Sequence, residues 1–180
     1  LADGHKLRLF DGTPVDAGDN ARSIEGELTD PKVVWEAVRG VDAILHLGEP
    51  PADLPDDELA RDQALLDHAT RGTHVLFSAA VDARVQRFVF GSTLEVFDDY
   101  PDDVYISENW KPLPSPRMAV MSRYLGEGVC RCFVRTNRIG VTVLRLGRQV
   151  LEEEVRESAG DLMWVDRRDA ASAFACALQR

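Results

Sequence analysis

Chemistry in a folded chain needs particular side chains held at particular places, and here the candidates stand directly after short apolar runs. Asp11 follows Leu7 to Phe10, Gly48 and Glu49 follow Ala43-Ile44-Leu45-His46-Leu47, and Gly91-Ser92-Thr93 follows Phe88-Val89-Phe90. Glu27-Leu28 stands at a similar junction, just ahead of a helix start. Open α/β sheets bind ligands beyond the carboxyl ends of their strands, so these are places where a carboxylate, a glycine or a hydroxyl meets a ligand. Other reactive types carry less. Cys130 and Cys132 are two apart on a helix and point to different faces. With Cys176 they make neither a disulfide framework nor a four-ligand metal pattern, and no metal is expected. The acids from Asp98 to Asp103 lack the glycine and spacing of a calcium loop and read as solvated. So does Glu152-Glu153-Glu154. His46, inside an apolar strand, reads as a packed core histidine.

The elements that position these residues alternate between strand and helix. Thr29-Asp30-Pro31 is a helix start, an oxygen-bearing cap followed by a proline whose missing N–H costs nothing there. The helix from Lys32 to Arg39 stops at Gly40. After an acidic, proline-rich connection from Pro50 to Asp57, a long helical region runs to about Ala83, with a break near Arg71-Gly72. Met118 to Thr136 is a further helix, Val141 to Leu146 a strand, Met163-Trp164-Val165 a last short strand, and Asp169 starts a final helix. Strands that are apolar on both faces suit the interior of a parallel sheet, and helices of ten or more residues between them supply right-handed crossovers. The expected fold is α/β, a doubly wound parallel sheet in three layers.

The composition agrees. A chain of 180 residues with 44% apolar content fits one domain able to bury roughly 70% of its unfolded surface without staples. Lys and Arg number 21 against 31 Asp and Glu, a net charge of −10, which argues against nucleic acid and anionic membrane as partners. No apolar run approaches the ~18 residues of a membrane span, and no signal peptide, a cytoplasmic location and reduced thiols are expected. The sequence opens at Leu1 rather than Met, at what reads as the end of a helix, which points to a fragment.

Taken in order, these segments resemble the extended short-chain dehydrogenase/reductase family of the NAD-dependent epimerase/dehydratase type. The resemblance rests on Gly4-His5-Lys6-Leu7-Arg8-Leu9-Phe10-Asp11, Gly26-Glu27-Leu28-Thr29-Asp30, Val41-Asp42-Ala43-Ile44-Leu45-His46-Leu47-Gly48 and Gly72-Thr73-His74-Val75-Leu76. It continues through Val85-Gln86-Arg87-Phe88-Val89-Phe90-Gly91-Ser92-Thr93, Val143-Leu144-Arg145-Leu146-Gly147 and Trp164-Val165-Asp166-Arg167-Arg168-Asp169. No one of these is specific; their order and spacing across nearly the whole chain are. The resemblance implies a Rossmann-like fold, a dinucleotide across the sheet, and a nucleotide sugar, sugar acid or related carbonyl or alcohol as substrate. Residues 1–150 would then be the dinucleotide-binding domain, without its first strand and glycine-rich turn, and 151–180 the start of a substrate region most of which is missing. A homodimer is compatible with it.

On the cofactor side, the resemblance places Asp11 where an acid accepts both ribose hydroxyls and repels a 2′-phosphate, favouring NAD over NADP. The competing reading is an Asp-Gly turn. Glu27 falls near the adenine, with a solvated acid as its alternative, and Leu28 would offer backbone groups. Leu47 and Gly48 would lie against the cofactor, Gly48 because a small residue permits close backbone approach. Glu49 departs from the family's small residue, and its charge needs a compensating partner. The glycines that cradle a pyrophosphate at a helix N-terminus are not found early in this sequence, so the NAD site is expected to be weak or incomplete as it stands.

The family's proton chemistry uses a tyrosine with a lysine four residues later, whose ammonium lowers the phenol's pKa, and a serine or threonine that holds the substrate oxygen. Tyr100, Tyr105 and Tyr124 are followed four positions on by Val104, Asn109 and Gly128. Pro116, Ser122, Gly126 and Glu127 match the family's P-x-x-Y-G-x-S-K-x-x-G-E, but Ala119 takes the tyrosine's place and Arg123 the lysine's. Arg123 can donate to ribose hydroxyls, while its pKa is too high for a proton relay. Thr93 falls on the serine/threonine position, either orienting a carbonyl or bonded to local backbone. Tyr124 could replace the phenol only through a shift in helix register, a turn of about 100° per residue. Three functions therefore stand open: a family enzyme with impaired catalysis, a non-catalytic Rossmann module binding a nucleotide or a protein partner, and a fragment completed by another chain.

Overall fold

A computed structural model describes residues 4–16, 18, 21–101, 103–136, 139–155, 161 and 163–179. Leu1, and Asp102 of the acidic loop, lie outside the described residues. Strands β1 (Leu7–Asp11) and β2 (Ala21–Glu25) pair in parallel, and β3 (Ala43–His46), β4 (Arg87–Thr93) and β5 (Gly140–Leu146) form a parallel three-stranded sheet in that order. A third parallel pair joins β6 (Arg148–Val150) to β7 (Trp164–Asp166). Helix α1 (Pro31–Val38) links β2 to β3. Helices α2 (Glu58–Asp67) and α3 (Thr73–Asp82), joined by a π-helical turn over His68–Gly72, link β3 to β4. Helix α4 (Met118–Thr136) links β4 to β5, a short α5 (Glu152–Val155) follows β6, and α6 (Arg167–Gln179) follows β7.

The doubly apolar strands are explained by two cores. Alternate residues of a strand face opposite sides. Ile44, Phe88, Phe90, Val141 and Val143 therefore enter one cluster with Val34 and Val38 of α1, Leu76 and Phe77 of α3 and Cys130 of α4. Leu45, Val89, Leu144 and Leu146 enter the other, against Phe174 and Ala177 of α6. Three layers result, with α6 on the second face and its end tied to β4 through Arg87, which donates to the Leu178 carbonyl. The Phe77 and Phe88 rings stack at 3.9 Å in the centre of the larger cluster.

Local details depart from expectation for identifiable reasons. The helix start at Thr29-Asp30-Pro31 is as read: the Asp30 carboxylate accepts from the Lys32 N–H, and Pro31 opens the helix. The break near Arg71-Gly72 is a widened turn rather than a chain reversal, which places Gly72 against Leu28 so closely that a Cβ would sit 2.9 Å from its Cδ2. Gly91-Ser92-Thr93 is not a post-strand loop. The register with Leu144-Arg145-Leu146 carries β4 through Thr93. Strand β2 escapes an apolar-run reading because only Ile24 of its five residues is buried.

Close approach of α4 to the sheet depends on Gly126, where a Cβ would lie 2.7 Å from Phe90 Cζ and 3.2 Å from the Ala69 carbonyl, whereas Gly128 faces open space. Gly126→Ala should destabilise the fold by about 1–3 kcal/mol through overpacking. Gly128→Ala should stabilise it by up to ~1 kcal/mol through helix propensity. Urea unfolding midpoints of the two variants, shifted in opposite directions, check the packing.

Candidate functional site

The carboxyl end of the three-stranded sheet is organised around a buried carboxylate. Glu127 of α4, 1% exposed, accepts from the Ser92 hydroxyl at 2.7 Å and from Arg145 Nε and Nη2, both at 2.8 Å. Arg131, one helical turn on, stands 3.8 Å away. Arg145 also lies over the Phe97 ring at 5.0 Å, and its hydrogen bonds to Glu127 raise its pKa further. Burial and the Glu127 charge push the Cys130 thiol up to about 12, so this cysteine is an inert packing group. The knot clamps α4 to β4 and β5 at the residue before Thr93.

Thr93 ends β4 and caps the 3₁₀ turn Leu94–Phe97, its Oγ accepting from the Glu95 N–H at 3.1 Å. This is the bond to local backbone, and it uses a lone pair of the hydroxyl rather than its proton. The turn is fixed in turn by a small cluster in which Val96, Phe97 and Val120 are buried.

At the ends of β1 and β2, the exposed Asp11 carboxylate accepts from the backbone N–H and hydroxyl of Thr13, both at 3.0 Å. Glu27 reaches the same corner beside Gly12. Leu28, 8% exposed, spends its side chain on the core against Gly72. Leu47 is 55% exposed after β3, and Gly48 adopts φ +71° where a Cβ would collide with the Gly91 carbonyl and lie 2.7 Å from the Arg123 guanidinium. The compensating partner that Glu49 requires is Arg123 itself, which donates Nη2 to Glu49 at 3.1 Å and Nη1 to the Leu47 carbonyl at 3.4 Å.

Arg123 divides two hollows. A small one of about 70 Å³ is lined by Gly48, His68, Ala119 and Arg123, and a larger one of about 590 Å³ by Glu49, Thr93, Arg123, Arg148, Arg167 and Phe174. Ala119 lines the small hollow and Thr93 the larger one, and Arg123 lines both. The Arg123 side chain reaches Glu49. Thr93, Leu47 and Arg123 are thus brought together, with Gly48 behind them. Asp11 and Glu27 stand along the same strand ends, near enough for their charges to act on His68.

Several residues here carry no sequence signal of their own. His68 falls in the π turn, Arg148 and Arg167 lie among other charged residues, and only the G-E pair of the helix motif hints at Glu127. His46 is the core group expected of it. Its ring lies edge-on to Phe88 and Phe90, 3.3 Å from the Thr73 hydroxyl, and its Nδ1 accepts from the Gly48 N–H at 3.4 Å. Desolvation first, then the neighbouring His68 and Arg123 charges, push its pKa down to about 3. Among the described residues no group of His, Cys, Asp and Glu is arranged to hold a metal, and no helix is long and apolar enough to cross a membrane.

The model of the NAD dependent epimerase/dehydratase family matches residues 2–162. The chain is similar to an NAD-dependent glucose-6-phosphate dehydrogenase of Haloferax volcanii, 27% identical over 99% of this chain and 73% of that protein. It is also similar to the structure of a short-chain dehydrogenase/reductase superfamily protein from Agrobacterium tumefaciens with bound NAD, at 27% identity, TM-score 0.69, covering 87% of this chain and 46% of that one. A third likeness is to dTDP-glucose 4,6-dehydratase from Streptomyces venezuelae, solved with NAD bound, at 26% identity, TM-score 0.70, covering 81% and 47%. The chain therefore spans less than half the length of those two solved proteins.

A histidine held neutral in the fold makes stability pH-dependent. Below its ordinary 6.5 the unfolded chain takes up a proton that folded His46, with its pKa near 3, refuses. Stability should be full above pH 6.5 and fall by about 1.4 kcal/mol per pH unit below it on account of His46, with His68, also lowered, adding to the fall. Urea titrations at pH 7.5, 6 and 5 should show this slope, and His46→Asn should flatten it.

Proposed function

The chain belongs to the NAD-dependent epimerase/dehydratase family, and we propose that it binds NAD along its strand ends and a sugar-derived alcohol or carbonyl beside Thr93. The observation that carries this reading is the larger hollow, where Thr93, Leu47 and the Arg123–Glu49 pair converge at the carboxyl ends of β3 and β4. The donor set suits the cofactor. Asp11 and Glu27 supply acceptors for the adenosine end, and Leu47, Gly48 and Arg123 supply a surface and hydrogen-bond donors at the other. NAD is supported by the NAD-bound structures to which the chain is similar, and sugar chemistry by the glucose-6-phosphate and dTDP-glucose relatives. In this reading residues 1–150 hold the cofactor, and 151–180, with α6 and Arg167, open the substrate side.

NAD when bound supplies a hydride acceptor. The rest falls to this chain. Thr93 donates its free proton to the substrate oxygen and orients it. Arg123 binds ribose hydroxyls but, fixed in its charge, cannot relay a proton. Ala119 has no proton to exchange, so turnover is slowed by the 10²–10⁴-fold that a positioned acid/base typically contributes. The second reading, a non-catalytic nucleotide-binding module, draws on the same Ala119 and on an Arg123 already paired with Glu49.

Two measurements test these readings. Calorimetry should give NAD binding well above NADP binding, a gap that Asp11→Ala narrows; equal affinities would remove Asp11 from the cofactor site. Assays of NADH formation over a panel of sugar phosphates, sugar acids and nucleotide sugars should give turnover at or near background, raised by the Ala119→Tyr/Arg123→Lys double variant. Robust turnover in the unaltered protein would overturn the impaired-catalysis reading.

A further inference from the structure

Glu49 is delivered to its place by the backbone on either side. Gly48 before it holds φ at +71°, and a Cβ there would collide with the Gly91 carbonyl. Pro50 after it disfavours the helical conformation at Glu49, because a proline ring crowds the residue it follows. The chain thus leaves β3 with little freedom, and the Glu49 carboxylate accepts from Arg123 Nη2 at 3.1 Å.

The guanidinium is held from its own side. Arg123 follows the buried Ser122 in α4 and lies across the β3 exit, its Nη1 donating to the Leu47 carbonyl at 3.4 Å. The same Nη1 stands 2.7 Å from where a Gly48 Cβ would be, so a side chain at position 48 would displace it. Arg123 lines both hollows, and Glu49 is, among the described residues, the one carboxylate lining the larger. The Arg123 side chain is 16% exposed and that of Glu49 61%. A pair so open to water contributes little to stability. Its consequence is occupancy: both Nη groups, the fork with which an arginine grips a ligand oxygen, are engaged by oxygens of the protein itself.

We propose that Glu49 is an internal competitor for Arg123, a carboxylate that takes the guanidinium donors a bound nucleotide would use and so sets the affinity of this site. The proposal rests on the reading of the strand ends as the nucleotide site. A ligand oxygen must displace a tethered carboxylate, whose local concentration at Arg123 is high. A phosphate-bearing ligand is further opposed by the Glu49 charge. The effect is bounded because an exposed pair is weak. A positioning role for Glu49 has the opposite sign: a carboxylate that held Arg123 ready for the nucleotide would weaken binding when removed.

The test has two arms. Calorimetric titration of NAD into the full chain and into its Glu49→Gln and Glu49→Ala variants should show affinity rising about threefold to tenfold in both variants. Glu36→Gln, which removes the same charge from the exposed pair with Arg22, should leave it unchanged. Thermal melts of the Glu49 variants should coincide with that of the unaltered chain, which separates altered binding from altered folding. The second arm needs no nucleotide. Phenylglyoxal, which reacts with guanidinium groups, should modify Arg123 several times faster in Glu49→Gln than in the unaltered chain, read by peptide mass spectrometry with Arg22 as the internal standard. Inorganic phosphate should slow that reaction in the variant and not in the unaltered chain. NAD binding that is unchanged or weaker in both Glu49 variants, or Arg123 reacting at one rate with and without the carboxylate, overturns the proposal. NAD that binds no form strikes the proposed function instead. Phosphate protection then decides the competitor alone: protection confined to the variant supports it, and none in either form overturns it.

Discussion

A carboxylate can be buried only where its charge is met, and Glu127 meets this condition through three elements at once. Helix α4 supplies the acid, β4 the Ser92 hydroxyl and β5 the two-pronged Arg145. Breaking such a buried pair from one side leaves an unmet charge in the interior, which costs about 3–5 kcal/mol. The arrangement therefore allows α4 little freedom to slide along the sheet. Because Thr93 follows Ser92 directly, and Arg123 precedes Glu127 by one helical turn, this knot also sets where those two side chains can meet. Gly126 lets α4 come close enough for it to form.

The parallel register does the remaining positioning. With β3, β4 and β5 aligned, their carboxyl ends come to one edge, and the close backbone approach at Gly48 and Gly91 brings the β3 exit against β4. The two faces of the same strands bury different clusters, so the edge is held from both sides. Helix α6 serves twice. Phe174 fills the second core and also lines the hollow beside Thr93, and Arg167 stands at the helix start.

Within this frame the polar chemistry differs from the family pattern in a linked way. Where the resemblance implies a small residue and a lysine, this chain has Glu49 and Arg123, and the two are paired. With 16% of its side chain exposed, Arg123 is occupied by Glu49 and the Leu47 carbonyl. Ala119, which the family resemblance puts at the tyrosine position, lines a small hollow with His68, while Thr93 lines the larger one.

The alternating pattern of the chain was enough to determine the α/β class, the parallel sense of the strands, the cap at Asp30 and the bounds of α4. These follow from local preferences and from apolar residues that have only one way to be buried. It also determined the types of chemistry present, since the lack of any Tyr-x-x-x-Lys pair is a property of composition and spacing. Which charge meets which was not legible, because ion pairs join residues far apart in the chain: Glu49 to Arg123, Glu127 to Arg145. The extent of β4 through Thr93 was set by its partner β5, and the commitment of the Leu28 side chain to the core by Gly72 in a π turn. Arg148 and Arg167 come to line one hollow only when β6 and α6 are folded onto it. Local sequence specifies what a segment can be; long-range electrostatics and packing decide what it faces.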